Sequence, residues 1–315
     1  MPVAKVTDIA FGRLQAPDLD QAEEFLLDFG MVRAARTADT LYMRGTDPAA
    51  YLHVTHLGPA KFIGMAYYAS SADELDRLSK LDGASGVEDI DAPGCGKRVR
   101  LRDPHGFQIE VVHGIAPSDP LPVRHAVLNT GAEKYRRVGE FMRVAPGPSQ
   151  VKRIGHGVIA TTDLKKTLGW YRETLGFLCS DDVWAGTPDN VVSSFNRCDR
   201  GDDYVDHHAF FTMTGPEAGL NHFSFEVRDI DDVMVGHEYL RGKDKYRHMW
   251  GIGRHRLGSQ VYDYWCDPWG RVHEHWTDSD VLNASTPPGS AQAGVGTFAQ
   301  WGESMPARFQ TYAVK

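Results

Sequence analysis

Long apolar runs are missing from this 315-residue chain. No stretch approaches the roughly 20 residues a helix needs to cross a bilayer, and the opening MPVAKVTDIAFG lacks the charged-then-apolar order of a secretory signal. A soluble, cytoplasmic protein with no membrane partner is expected. Cysteine is scarce as well. Cys95, Cys179, Cys198 and Cys266 stand far apart with no Cys-x-x-Cys pair, which argues against a thiolate zinc site or a disulfide framework and for free thiols in a reducing compartment. Nor is there a block of Lys and Arg. The 34 basic and 42 acidic residues leave a formal charge of −8 spread along the chain, so nucleic acid is not an expected partner. What is present is bulk: 42% hydrophobic residues over this length can build two globular domains with buried cores and no staples.

The strongest organisational signal is a repeat. TDIAFGRLQAPDLDQAEEFLLDFGM near the start aligns with KRIGHGVIATTDLKKTLGWYRETLGF in the second half: a short strand, Asp-Leu opening a helix, then a Gly stop. Leu164, Leu168, Tyr171 and Leu175 share one helical face between an Asp163 N-cap and a Gly176 C-terminal cap. Leu19, Ala22, Leu26, Phe29 and Gly30 repeat that plan. Two further helical units centre on Leu75 and Leu78, ending at Gly83, and on Ile230, Val233, His237 and Leu240, ending at Gly242. Strand pairs about Asp-Pro-x-Gly turns lie between them. One helix and several strands, four times over, predicts an α+β fold of paired modules whose sheets curl around a cavity. Prolines between 115 and 150 mark a link between the halves. The Pro/Gly/Ser/Ala stretch after Trp276 leads to a tail carrying Phe298, Trp301, Phe309 and Tyr312, which is expected to pack back on the body and is a candidate cover for a pocket mouth.

Aligning the halves isolates what the second one adds. DPHGFQIE matches DPWGRVHE at Asp, Pro, Gly and Glu, so Glu110 corresponds to Glu274. His156 stands opposite Phe11, and His222 in LNHFSFEV opposite Gly64 in FIGMAYYA. On a strand Glu274 shares its face with Val272 and Trp276, while His273 and His275 point to the other side, where they read as outward surface or interface residues. If His156, His222 and Glu274 project from three neighbouring strands into one cavity, they form a two-His, one-carboxylate set with open coordination positions, which suits non-haem Fe(II), with Mn(II) not separable by geometry.

These residues resemble the two-domain extradiol ring-cleaving dioxygenases of the vicinal oxygen chelate superfamily, of the catechol 2,3-dioxygenase and dihydroxybiphenyl 1,2-dioxygenase kind, over nearly the whole chain up to Trp276. The resemblance implies four βαβββ modules in two curled-sheet, barrel-like domains: a non-catalytic pair in 1–115, a linker in 116–150, a catalytic pair in 151–280 and a tail in 281–315. It also implies metal ligands at His156, His222 and Glu274. An acid–base His falls in VDHHAFFTM, where His207 lies four residues before Phe211 and shares its face with Ala209, whereas His208 points the other way; His207 is the choice that follows. His255 and Tyr264 in GRHRLGSQVYDYW fill the roles of the second His and the Tyr that hold the substrate oxygens. His248 and Trp250, near His255, are candidates for the substrate pocket, with plain packing the other reading. Glu110 reads as a relic of the fold.

The expected activity is extradiol cleavage of a catechol by O2 at a mononuclear Fe(II), in a homo-oligomer. Catechol binding through both oxygens leaves a metal position for O2, and an imidazole with an ordinary pKa near 6.5 is apt for proton transfer. Two other readings stand beside it: another metal-dependent enzyme on the same scaffold, a glyoxalase-type isomerase or a hydroxyphenylpyruvate-type dioxygenase, and a metal-free small-molecule binding protein. His53, His56, His113, His125 and His237 are expected to be hydrogen-bonded structural residues. Arg254 and Arg256 flank His255 but read as surface residues, so no substrate carboxylate is inferred from them.

Overall fold

The computed structural model describes residues 1–124, 127–294, 296–310 and 312–315 of the chain. The first module runs β1 (Val6–Ala16), α1 (Leu19–Asp28), β2 (Val32–Arg36), β3 (Thr40–Arg44) and β4 (His53–Leu57). The second follows as β5 (Lys61–Ala69), α2 (Ala72–Leu78), β6 (Glu88–Asp89), β7 (Lys97–Arg102) and β8 (Gln108–His113). The third comprises β9 (Val151–Thr161), α3 (Leu164–Leu175), β10 (Leu178–Trp184), β11 (Val191–Arg197), the short β12 (Val205–Asp206) and β13 (Phe210–Thr214). The fourth comprises β14 (Gly219–Val227), α4 (Ile230–Lys243), β15 (His248–Arg254), β16 (Val261–Cys266) and β17 (Val272–Thr277). The tail adds β18 (Val281–Leu282), β19 (Gly289–Gln292) and α5 (Ala307–Gln310).

Local chemistry sets the element ends. Asp18 accepts hydrogen bonds from the backbone N–H groups of Asp20 and Gln21, and Asp163 from that of Lys166, so both N-termini are capped by an Asp side chain. Helix α3 stops where Gly176 turns left-handed at φ 79°. The stop expected at Gly242 is displaced: α4 continues to Lys243 and ends on Asp244, a residue type that tolerates the left-handed region. Helix α2 ends at Leu78, short of Gly83. No helix among the described residues is long and apolar enough to cross a membrane, and all four cysteines are unpaired.

Each half forms one large sheet, and β12 pairs with β18 in a separate two-stranded sheet. The strand orders are β2-β3-β4-β1-β5-β8-β7-β6 and β15-β16-β17-β14-β9-β13-β11-β10-β19. Within each half the modules join through one antiparallel pair, β1 with β5 and β9 with β14, and register shifts in both pairs bend the sheets. Ile9, Leu14 and Met65 of the first sheet share a hydrophobic core with Ile154, Phe223 and Phe225 of the second. One face of the second sheet therefore packs on the first half, and its other face is free to line a cavity.

That seam corrects the expectation that His273 and His275 face outward. Both are buried. His275 stacks on Phe29 with ring centroids 3.7 Å apart and donates from Nε2 to the Phe29 carbonyl at 2.6 Å. His273 Nε2 lies 3.2 Å from His53 Nε2. The alternation is as expected, but the face opposite Glu274 meets the other half of the chain instead of water.

The first half has filled its own equivalent site. Phe11, at the position of His156, packs on Tyr51 with centroids 4.9 Å apart. At Gly64, the position of His222, an added Cβ would lie 1.7 Å from the Gln108 carbonyl oxygen, so no side chain fits. Glu110 is buried in ion pairs with Arg13 at 2.6 Å and Arg98 at 3.2 Å. Glu110→Ala strands the buried Arg13 charge and should lower unfolding free energy by about 3–5 kcal/mol. Denaturant unfolding measures this, and a change of only a few tenths of a kcal/mol, as for a solvated surface pair, would contradict it.

Candidate metal centre

Strand register brings the three candidate ligands together. Ser224 on β14 lies level with His156 on β9 and with Glu274 on β17, and His222 precedes it by two residues on the same face. Ser224 is small, so two imidazoles and a carboxylate can lean over it. His156 Nε2 is 3.1 Å and His222 Nε2 3.4 Å from Glu274 Oε2. One donor atom from each of the three residues lies within 4.8 Å of the others, and all three side chains are buried.

The protonation states suit a cation. Burial works against a charge on Glu274, but the imidazoles of His156, His222 and His255 outweigh it and hold the carboxyl well below the usual range. Burial lowers His222 to about 4 against the pull of Glu274. His222 Nδ1 donates to Asn221 Oδ1 at 2.6 Å, which leaves the Nε2 lone pair facing Glu274. His222 Nε2 and both Glu274 oxygens are buried without a hydrogen-bond partner. Mutually facing acceptors with no proton between them are costly in a protein interior unless a cation joins them. The residues fit a divalent metal.

His255 and Tyr264 stand at the edge of this set. His255 Nδ1 donates to the Phe298 carbonyl at 2.7 Å, so Nε2 is the acceptor for the Tyr264 hydroxyl at 2.8 Å. The same Nε2 is 3.5 Å from Glu274 Oε1. Burial, and then the Glu274 charge, raise Tyr264 well above the normal tyrosine range, so it remains a donor.

Two expected positions need correction. His207 turns away from the cavity, with Nε2 2.7 Å from Asp181 Oδ2, whereas His208 lines the cavity with its ring centroid 4.0 Å from that of His156. The two-residue alternation used to choose His207 holds only within β13, which begins at Phe210; residues 207–209 form a bend that shifts the phase by one. His248 likewise leaves the pocket, pairing with Asp263 at 2.7 Å, while Trp250 lines it. A register shift between His248 and Trp250 sets His248 opposite Trp265 and Trp250 opposite Tyr264, so the two point to different faces.

The cavity above the triad has a volume of about 810 Å³. Its walls are mainly apolar, including Val158, Phe195, Phe211, Leu257, Phe298 and Trp301. No Lys or Arg is among the described lining residues. Arg254 is held by the Ser259 carbonyl and by Asp278, and Arg256 is exposed. The tail closes much of this cavity, and one of its residues reaches the ligands: the Phe309 ring stacks on His222 with centroids 5.8 Å apart, and Asn221 Nδ2 donates to the Phe309 and Tyr312 carbonyls at 3.2 Å. The sequence does not single out Asn221, and the tail carrying Phe309 is expected to pack back without a stated partner; the Asn221–Phe309 contact spans more than 80 residues of chain. Of the other histidines, His53, His56, His113 and His237 all have protein partners. His125 lies outside the described residues.

Residues 153–268 match the Glyoxalase/Bleomycin resistance protein/Dioxygenase superfamily. Over 301 residues the chain is 28% identical to metapyrocatechase 2 of Cupriavidus necator, which covers 94% of this chain and 89% of that protein. Among solved structures, the Mn(II)-bound glyoxalase from Novosphingobium aromaticivorans aligns with a TM-score of 0.80 at 21% identity, covering 99% of this chain and 96% of that one. An extradiol ring-cleaving dioxygenase from B. fuscum aligns with a TM-score of 0.81 at 19% identity, covering 100% of this chain and 84% of that one. At these identities the two structures speak to the fold alone.

Proposed function

The chain carries a Glyoxalase/Bleomycin resistance protein/Dioxygenase superfamily domain in residues 153–268, and on that premise we propose that it is an extradiol dioxygenase, cleaving the ring of an apolar catechol with O2. The observation that carries this reading is the buried triad of His156, His222 and Glu274, with unpartnered donor atoms, at the base of a large apolar cavity. Its likeness to a metapyrocatechase over most of both chains supports it. In the net reaction the aromatic C–C bond beside the diol breaks and both oxygen atoms enter the product.

His156, His222 and Glu274 would hold Fe(II), or Mn(II), which would supply the Lewis-acid and electron-transfer chemistry needed for O2 to react with a diol. The protein's own groups do the rest. His255 Nε2 accepts a proton or hydrogen bond from a diol hydroxyl, and the Tyr264 hydroxyl donates to a diol oxygen. His208 moves the proton needed at the reacting carbon–oxygen framework, a kind of help worth about 10²–10⁴ in rate. The first half acts as a non-catalytic scaffold. Assembly into a homo-oligomer and a cytoplasmic location, which the four free thiols favour, belong to the same proposal.

With no Lys or Arg among its described lining residues, the apolar cavity favours catechols bearing alkyl or aryl groups over carboxylated ones. The test is anaerobic Fe(II) loading, then air, with oxygen uptake and the yellow ring-opened product followed across catechol, alkylcatechols, dihydroxybiphenyl and carboxylated catechols. Alkyl and aryl catechols should turn over fastest. Intact substrate without oxygen uptake across the whole panel sinks the proposal. A glyoxalase-type isomerase is a second reading, since the superfamily that residues 153–268 match includes glyoxalases as well as dioxygenases; its turnover would need no O2. Among the described lining residues the remaining carboxylate is Glu303, exposed on the tail, which is a poor place for a buried base.

A further inference from the structure

Behind the cavity wall, on the face of β16 turned away from Tyr264, a second set of metal-binding side chains converges. Asp263 is fully buried there. His248 from β15 places Nε2 2.7 Å from Asp263 Oδ1, and His237 from α4 places Nδ1 3.2 Å from Oδ1 and 3.1 Å from Oδ2. One donor atom of each residue lies within 4.8 Å of the others. We propose that His237, His248 and Asp263 form a second divalent transition-metal site that takes Zn(II), separate from the cavity and from ring cleavage.

Two imidazoles and one carboxylate, drawn from a helix and two strands, are a donor set typical of zinc. Zinc bonds of about 2.0–2.2 Å place tetrahedral neighbours roughly 3.3 Å apart, so His237 Nδ1 already stands at such a distance from Asp263 Oδ1, at 3.2 Å, and His248 Nε2, at 2.7 Å, would have to draw back by about 0.6 Å. Trp265 Nε1 donates to Asp263 Oδ2 at 2.6 Å, which fixes the carboxylate and leaves Oδ1 for the ion, the arrangement that orients metal ligands generally. The site has an entrance. His237 and His248 side chains are 15% and 31% exposed while Asp263 is 0% exposed, so a fourth ligand position opens toward water. Of the charged groups beside His237, Glu238 favours a cation and Arg241 opposes it. A bound ion would tie α4 to β15 and β16, whose opposite faces carry Trp250 and Tyr264.

The experiment uses the full chain without a polyhistidine tag, loaded with Fe(II) and then titrated with Zn(II), both metals being counted after desalting. One zinc should bind in addition to the iron and raise the melting midpoint, as any ligand of the native state does. A His237→Gln, His248→Gln double variant should lose that zinc and the thermal shift while keeping its iron and its turnover. Glu274→Gln, which disables the first centre, should still take up one zinc, separating this site from displaced iron. The proposal is overturned if wild-type protein takes up no zinc beyond its iron, or if the double variant binds as much as wild type.

Discussion

Glu274→Gln is expected to leave a folded protein with no tightly bound iron and no ring cleavage. Weakening an outer-shell partner of a metal ligand alone costs about 10–100-fold in affinity or activity, so loss of the anionic ligand itself should exceed that range. Glutamine keeps the shape of the side chain and removes a charge buried at 0% exposure beside three imidazoles. With metal, wild type alone should gain stability. Metal analysis and thermal unfolding of both proteins, with and without Fe(II), decide the matter. A variant that retains stoichiometric iron and wild-type turnover removes Glu274 from the centre.

The second large effect separates two adjacent histidines. His208→Ala should lower kcat by about 10²–10⁴-fold with iron content unchanged, and His207→Ala should cost much less. His208 lines the cavity and its ring packs against His156. Burial, and then the neighbouring His156, hold it well below the usual imidazole range, so it meets the substrate neutral and able to accept a proton. His207 stands behind it. His207 Nε2 donates to Asp181, and its Nδ1 lies 3.1 Å from His208 Nδ1, where it accepts a hydrogen bond from the His208 Nδ1–H and leaves His208 Nε2 bare. His207 is thus a positioning residue. Replacing it should mainly disturb the pH profile, whereas replacing His208 should remove the rate at every pH. If His207→Ala abolishes turnover and His208→Ala spares it, this assignment of the pair is wrong.

Much of the architecture was legible because the chain states it four times. An apolar helical face recurs in all four, a capping Asp opens α1, α3 and α4, a left-handed glycine ends α3, and the Asp-Pro-x-Gly turn occurs once in each half with a Glu seven residues after its Asp. At Asp103 and Asp267 that turn is built identically: each Asp Oδ1 accepts two backbone N–H groups, from His105 and Phe107 in one and from Trp269 and Arg271 in the other. A turn so constrained fixes the register of the strand that follows, which is why Glu274 could be singled out from its flanking histidines by comparison with Glu110. His156 and His222 followed from the same alignment, since each interrupts a position where the first half has Phe or Gly.

What the sequence determined alone is therefore whatever depends on regular, local spacing: the repeated modules, the Asp18 and Asp163 caps, the Asp-Pro-x-Gly turns, and the strand positions of His156, His222 and Glu274. Tertiary structure decided the rest. The two-residue alternation of a strand survives only while the strand is unbroken, so the bend at 207–209 and the bulge at His248 reversed the facing of His207, His208 and His248. Which face is wet depends on what packs there, and the seam between halves buried His273 and His275. Phe309 reached His222 across more than 80 residues through irregular chain, where neither period nor turn chemistry limits the path, and only the folded shape brings such groups into contact.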